Sequence, residues 1–129
     1  MFIISHSWTE DEYTYIERFL SHARALLSTK DFQIEPTEKN KRFSKKYPMK
    51  SDEQVRILKS LQVEDCVDFG PNDNPRYPDS TVFKFIKDIE INSFGEIETV
   101  CVYIKEYIID KGCYEIICVI SLHEEGMYE

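Results

Sequence analysis

Residues 81–124 read TVFKFIKDIEINSFGEIETVCVYIKEYIIDKGCYEIICVISLHE. Val, Ile, Phe and Tyr crowd this stretch and alternate with polar residues at period two, the pattern of half-buried strands. Strands are expected at about 81–89, 98–109 and 114–122, with Asn92 to Gly95 and Asp110-Lys111-Gly112 supplying the turns. Strands joined by short turns pair antiparallel, so this third of the chain is a three-stranded meander. The alternation also assigns faces. Val100, Val102, Ile104 and Ile108 of the middle strand belong to the core side, with Phe83 and Phe85 of the first strand. The same rule puts Ile116, Cys118, Ile120 and Leu122 inward on the last strand, and Glu115, Ile117, Val119, Ser121 and His123 outward.

Upstream the period changes to that of helices. Thr9-x-x-Glu12 is a capping box, and Ile16, Leu20, Ala23 and Leu27 form one apolar face of a helix over about 9–28. A second helix over about 51–67 begins at Ser51, has Gln54 three residues on, and buries Val55, Ile57, Leu58 and Leu61; a turn near Glu64–Val67 continues it. Phe32-Gln33-Ile34 is a short extended piece that would add one extra strand. Residues 39–50 read as a basic loop, and the prolines and Asx residues of Gly70 to Asp79 exclude regular structure there. The expected fold is therefore α+β in one domain, 1–129, with N-terminal helices on one face of a C-terminal antiparallel sheet and the other face free.

A chain of 129 residues, 42% apolar and with only nine Gly and Pro, is globular rather than disordered. Cys66, Cys101, Cys113 and Cys118 show no C-x-x-C pair, and His6, His22 and His123 are scattered, so neither a metal nor a disulfide framework is expected; three of the cysteines read as small core residues. No apolar run approaches the ~18 residues of a membrane span. Met1-Phe2-Ile3-Ile4 leads straight into Ser5-His6-Ser7 without a secretory core, which implies the cytoplasm and no membrane partner. Net charge is −8, yet residues 39–50 hold six of the 16 basic residues and no acid, so the remainder carries ten basic against 24 acidic residues. Lys41, Arg42, Lys45 and Lys46 could steer a phosphate backbone, or simply be solvated; the acidic remainder suits a basic protein partner.

Lys84, Tyr103, Lys105 and His123 fall on one outward sheet face. Two cations, a phenol and an imidazole suit phosphodiester chemistry, because cations stabilise phosphoryl charge and His or Tyr moves protons. An outward face also carries such residues for solubility alone.

Gly70-Pro71-x-Asp73, then Val102-Tyr103-Ile104-Lys105, then Val119-Ile120-Ser121-Leu122-His123-Glu124 resembles, in order and spacing, the C-terminal half of MqsR-like toxins of the RelE superfamily, of the Gram-positive type. Phe32, Pro36, Lys39-Asn40 and the Val55–Leu61 helix extend the resemblance to roughly residues 12–125. It implies a RelE-like fold, metal-independent and cofactor-free cleavage of mRNA by its own 2′-OH, and a cognate antitoxin, with homodimerisation left open. On that reading His123 is the general acid, and Tyr103 is the base or orients the 2′-OH. Lys84, Lys105 and Arg76 hold the pentavalent phosphate, and Lys41, Arg42, Lys45 and Lys46 bind substrate. The chain departs from the pattern at Asp68, where some members have a lysine, and at Phe83 and Leu122, which replace Trp and Phe. The alternative is a non-catalytic acidic inhibitor, phage or mobile-element encoded, that binds a protein.

Overall fold

The computed structural model describes residues 8–126; His6 and the segment Met1 to Ser7 lie outside them. In chain order the elements are α1 (Glu10–Ser28), β1 (Phe32–Ile34), α2 (Glu38–Lys46), α3 (Ser51–Lys59), a 3₁₀ turn (Val63–Asp65), β2 (Cys66–Pro71), β3 (Thr81–Ser93), β4 (Glu96–Asp110) and β5 (Glu115–Glu124). The fold is α+β with the helices before most of the sheet. That sheet has five strands in the order β1-β5-β4-β3-β2, antiparallel except for the parallel pair β1–β5.

The three-stranded meander is thus too small a description. Phe32–Ile34 does form the extra strand, and Cys66–Pro71 forms another where a helical turn and then a breaker loop were expected. Pro71 is tolerated because β2 is an edge strand, where a missing N–H costs no ladder bond. The second helix ends at Lys59 rather than near residue 67, and its N-cap is Lys50, with no side-chain cap. Of residues 39–50 only 47–50 are irregular; the rest belong to α2, which Thr37 caps by accepting from the Asn40 N–H, and Lys45 and Lys46 favour the negative end of its macrodipole. Periodicity hid this helix because only Asn40 and Phe43 of its nine residues are buried.

Thr9 and Glu12 make the capping box of α1, and Ile16, Leu20, Ala23 and Leu27 are buried as their spacing requires. They pack with Ile57, Leu58 and Leu61 against Phe83, Phe85, Val102 and Ile104, with Phe19 stacked on Phe83 at 4.0 Å between centroids. Truncating a ring such as Phe85 at the centre of this core would cost about 3–5 kcal/mol. Among the described residues no helix is long and apolar enough to cross a membrane.

Along β5 the face assignment holds at one end and reverses at the other. Lys105 pairs with Ser121 but Glu106 pairs with Val119, so Ile120 is an extra residue, a β-bulge. Beyond it the phase flips. Ile117 and Val119, expected outward, lie in the main core. Ile116, Cys118 and Ile120 instead join a small second core on the opposite face with Val82, Tyr107 and Ile109. The loop after β2 covers that cluster, laying Tyr77 against Tyr107 at 6.1 Å.

Candidate active site on the open face of the sheet

Because the 72–80 loop covers one end of the open face, the remainder forms a trough between that loop and the start of α2. Strand register brings four side chains into one row across β2, β3, β4 and β5: Asp68, Lys84, Lys105 and Ser121. The next row holds Ile86, Tyr103 and His123. Lys84, Tyr103, Lys105 and His123 therefore share a face, as the alternation required. Lys105 and the bulge residue Ile120 form a ridge between two depressions. One, of about 480 Å³, is bounded by Glu35, Asp68, Asn72, Lys84, Lys105 and Tyr107. The other, of about 560 Å³, is bounded by Thr37, Lys39, Tyr103, Lys105, Ser121 and His123.

Lys84 and Lys105 are half-buried and directly opposed across β3–β4. Like charges so placed repel, and among the described residues only Lys84 has a counter-ion: Asp68 Oδ2 lies 3.5 Å from its Nζ. His123 departs from expectation in exposure. It is 2% exposed, with its ring 5.7 Å from that of Tyr103. Its Nδ1 lies 2.8 Å from the Glu124 carbonyl, which can only accept, so Nδ1 carries a proton and donates it there.

Other expected residues are placed elsewhere. Arg76 is exposed on the covering loop, with its backbone N–H turned to Asn74 Oδ1, and borders neither depression. Lys41, Arg42, Lys45 and Lys46 are exposed on α2; Lys41 and Lys45 edge a separate apolar groove, and Lys46 is paired with Glu124 at 2.9 Å.

Two residues central to this geometry were not among the expected site residues, although Asn40 lies in the segment that carries the resemblance. Asn40, 5% exposed, donates from Nδ2 to the carbonyls of Glu35 (2.8 Å) and Ile120 (2.9 Å), while its Oδ1 accepts from the Leu122 N–H (2.9 Å). One side chain thereby bonds backbone groups after β1 and on both sides of the bulge, and ties α2 to the site. Glu35 continues β1, its N–H donating to the Val119 carbonyl at 2.9 Å, and its Oε2 accepts from the Cys118 thiol at 3.1 Å. Burial first, and then Glu35, push Cys118 up to about 11, so it stays a thiol and a donor. Tyr107, on the floor, is pushed by burial to about 12 and stays protonated.

All four cysteines are free, but only Cys66 and Cys118 are buried; Cys101 and Cys113 are exposed, because sheet faces and turn tips, not apolar neighbours in sequence, decide their burial. Among the described residues no group of three His, Cys, Asp or Glu side chains could hold a metal ion. Compared with known proteins, the chain matches no family model and finds no match among curated proteins or solved structures.

Proposed function

We propose that the chain is an MqsR-like, RelE-like endoribonuclease that cleaves mRNA through attack of the RNA's own 2′-OH, needs no metal or other cofactor, and is held in check by a cognate antitoxin. The observation that carries this reading is the opposed pair Lys84 and Lys105 on the floor of the trough, beside Tyr103 and His123. The two lysines repel each other and a phosphate would relieve that repulsion, on a chain whose net charge is −8 and in a depression that Glu35, Asp68 and Asp73 also border. In this reading they stabilise the charge on the pentavalent phosphorus, and Nε2 of His123 protonates the departing 5′-oxygen. Tyr103 orients the ribose, and the α2 cations Lys41, Arg42 and Lys45 guide the strand without reading sequence.

The test is incubation of the purified chain with a single-stranded RNA oligonucleotide in excess chelator. Cleavage ending in a 2′,3′-cyclic phosphate is expected, with Lys84→Ala/Lys105→Ala losing about 10²–10⁴ in rate and His123→Ala about as much. Intact RNA in every arm would sink the reading.

A second reading, a binding module, is favoured by the β3–β4 hairpin tip. There Phe94 is 86% and Ile97 63% exposed, flanked by Glu90, Glu96 and Glu98. It predicts folded protein without nuclease activity.

A further inference from the structure

We propose that Glu35 is the general base of this site, taking the proton of the attacking 2′-OH; the inference rests on the ribonuclease reading and deepens it. Attack on phosphorus requires a group that is unprotonated at neutral pH and reaches into the trough. Tyr103 is already given the role of orienting the ribose. His123 is 2% exposed and already assigned to the opposite proton transfer. Asp68 is committed to Lys84. Glu35 is half-buried, borders the same depression as Lys84 and Lys105, and forms no ion pair among the described residues.

Its position is also fixed. The backbone of Glu35 is held from both sides, by its own N–H on Val119 and by Asn40 on its carbonyl, and the Cys118 thiol holds Oε2. That leaves Oε1 to face substrate, a side chain preorganised by its supporting hydrogen bonds. The ridge of Lys105 and Ile120 then divides the work. The phosphate lies over Lys84 and Lys105, Glu35 takes the 2′-OH proton on one side, and His123 returns a proton on the other. In one step the 2′-oxygen–phosphorus bond forms and the phosphorus–5′-oxygen bond breaks. The 2′ proton goes to the Glu35 carboxylate, and the His123 proton goes to the 5′-oxygen. The products are a 2′,3′-cyclic phosphate and a 5′-hydroxyl, with no oxidant or co-reactant.

The charged and titratable groups facing Glu35 are Cys118 of β5, Tyr107 and Lys105 of β4, Lys84 of β3, Asp68 of β2 and Asp73 of the covering loop. Lys41 and Lys45 of α2 face it from the groove behind. A base of this kind makes the cleavage rate rise with pH on the acid side and level off as the carboxylate ionises. The experiment is the pH–rate profile of the full chain and of Glu35→Gln on one RNA oligonucleotide. Alongside it, binding is measured to the same oligonucleotide with a 2′-deoxy residue at the scissile step. Glu35→Gln keeps the shape and the acceptor for Cys118, so its melting temperature and its binding of the deoxy analogue should match the parent. Its rate should fall by about 10²–10⁴, and the acid limb should disappear. Glu35→Asp should recover part of the rate with the limb restored. If the parent cuts and Glu35→Gln cuts equally with the same acid limb, Glu35 is not the base and only this inference fails. If Glu35→Gln loses rate and deoxy-analogue binding together, the residue holds substrate and the inference is likewise overturned. If the parent does not cut, the ribonuclease reading and this inference fall together.

Discussion

Glu106 is the residue that fits least comfortably where it lies. It sits on the helix side of β4, opposite Val119 at the bulge, 1% exposed, and its Oε1 has no hydrogen-bond partner among the described residues. Burial alone lifts its carboxyl from 4.5 to about 8. Between those pH values the folded state keeps a proton that the unfolded state has lost. Stability from this group is therefore complete below about 4.5 and drains away as pH rises to about 8. At ~1.4 kcal/mol per pH unit the loss amounts to several kcal/mol. The unfolding free energy of the parent, measured in urea across that range, is expected to fall relative to Glu106→Gln, which has the same size and does not titrate. Parallel curves would show that the carboxyl is not buried as described. At this scale the sequence was legible where alternation alone decides the answer: it put Lys84, Tyr103, Lys105 and His123 on one face. It could not say that His123 is covered, because burial depends on the start of α2 arriving beside β5. Nor could it single out Glu35 or Asn40, whose roles are set by a parallel pairing and a bulge on a strand 80 residues or more away.

Among the elements, the β3–β4 hairpin stores strain that can be measured. Its turn runs through Phe94 (φ 52°) and Gly95 (φ 91°), two left-handed residues in succession, as a type I′ turn demands. Gly95 adopts that conformation freely, whereas a bulky aromatic residue is penalised by about 1–2 kcal/mol. Phe94 is 86% exposed, so it recovers little of this by packing. Phe94→Asn supplies the side chain such turns favour, and a gain of about 1 kcal/mol is expected from chemical denaturation. Lys84 lies ten residues before Phe94 in the extended β3, roughly 30 Å away, so cleavage should be untouched. A destabilised variant would mean that Phe94 packs against something. The three long strands and α1 were legible because each has a strong period over many residues. β1 and β2 are three and six residues long, and α2 buries only two side chains; their structure comes from partners distant in sequence, which periodicity cannot register. The bulge at Ile120 exposes the same weakness from the other side, since one inserted residue reverses every face assignment beyond it.

Over the whole molecule the charges are sorted rather than mixed. The hairpin's far end carries Asp88, Glu90, Glu96 and Glu98, while α2 presents Lys41, Arg42 and Lys45, and the floor of the trough presents Lys84 and Lys105. A net charge of −8 would oppose RNA at long range, but screening in salt limits that repulsion to about 8–10 Å, so a phosphate over the trough feels chiefly the groups that line it, Lys84 and Lys105 with Glu35, Asp68 and Asp73. The same arrangement allows one molecule to offer a phosphate the opposed lysines of the trough and a basic protein an acidic hairpin, as the proposed nuclease with an antitoxin would require. In a bacterial host, induction of the chain alone is therefore expected to arrest growth and deplete mRNA. Lys84→Ala/Lys105→Ala, accumulating to the same level, should leave both unchanged, because it removes the phosphate site and keeps the hairpin. Colony counts and total mRNA followed after induction measure this. Arrest by both chains would trace toxicity to the hairpin and its protein partner. Normal growth with either chain, each recovered folded, would leave the binding-module reading as the one that fits.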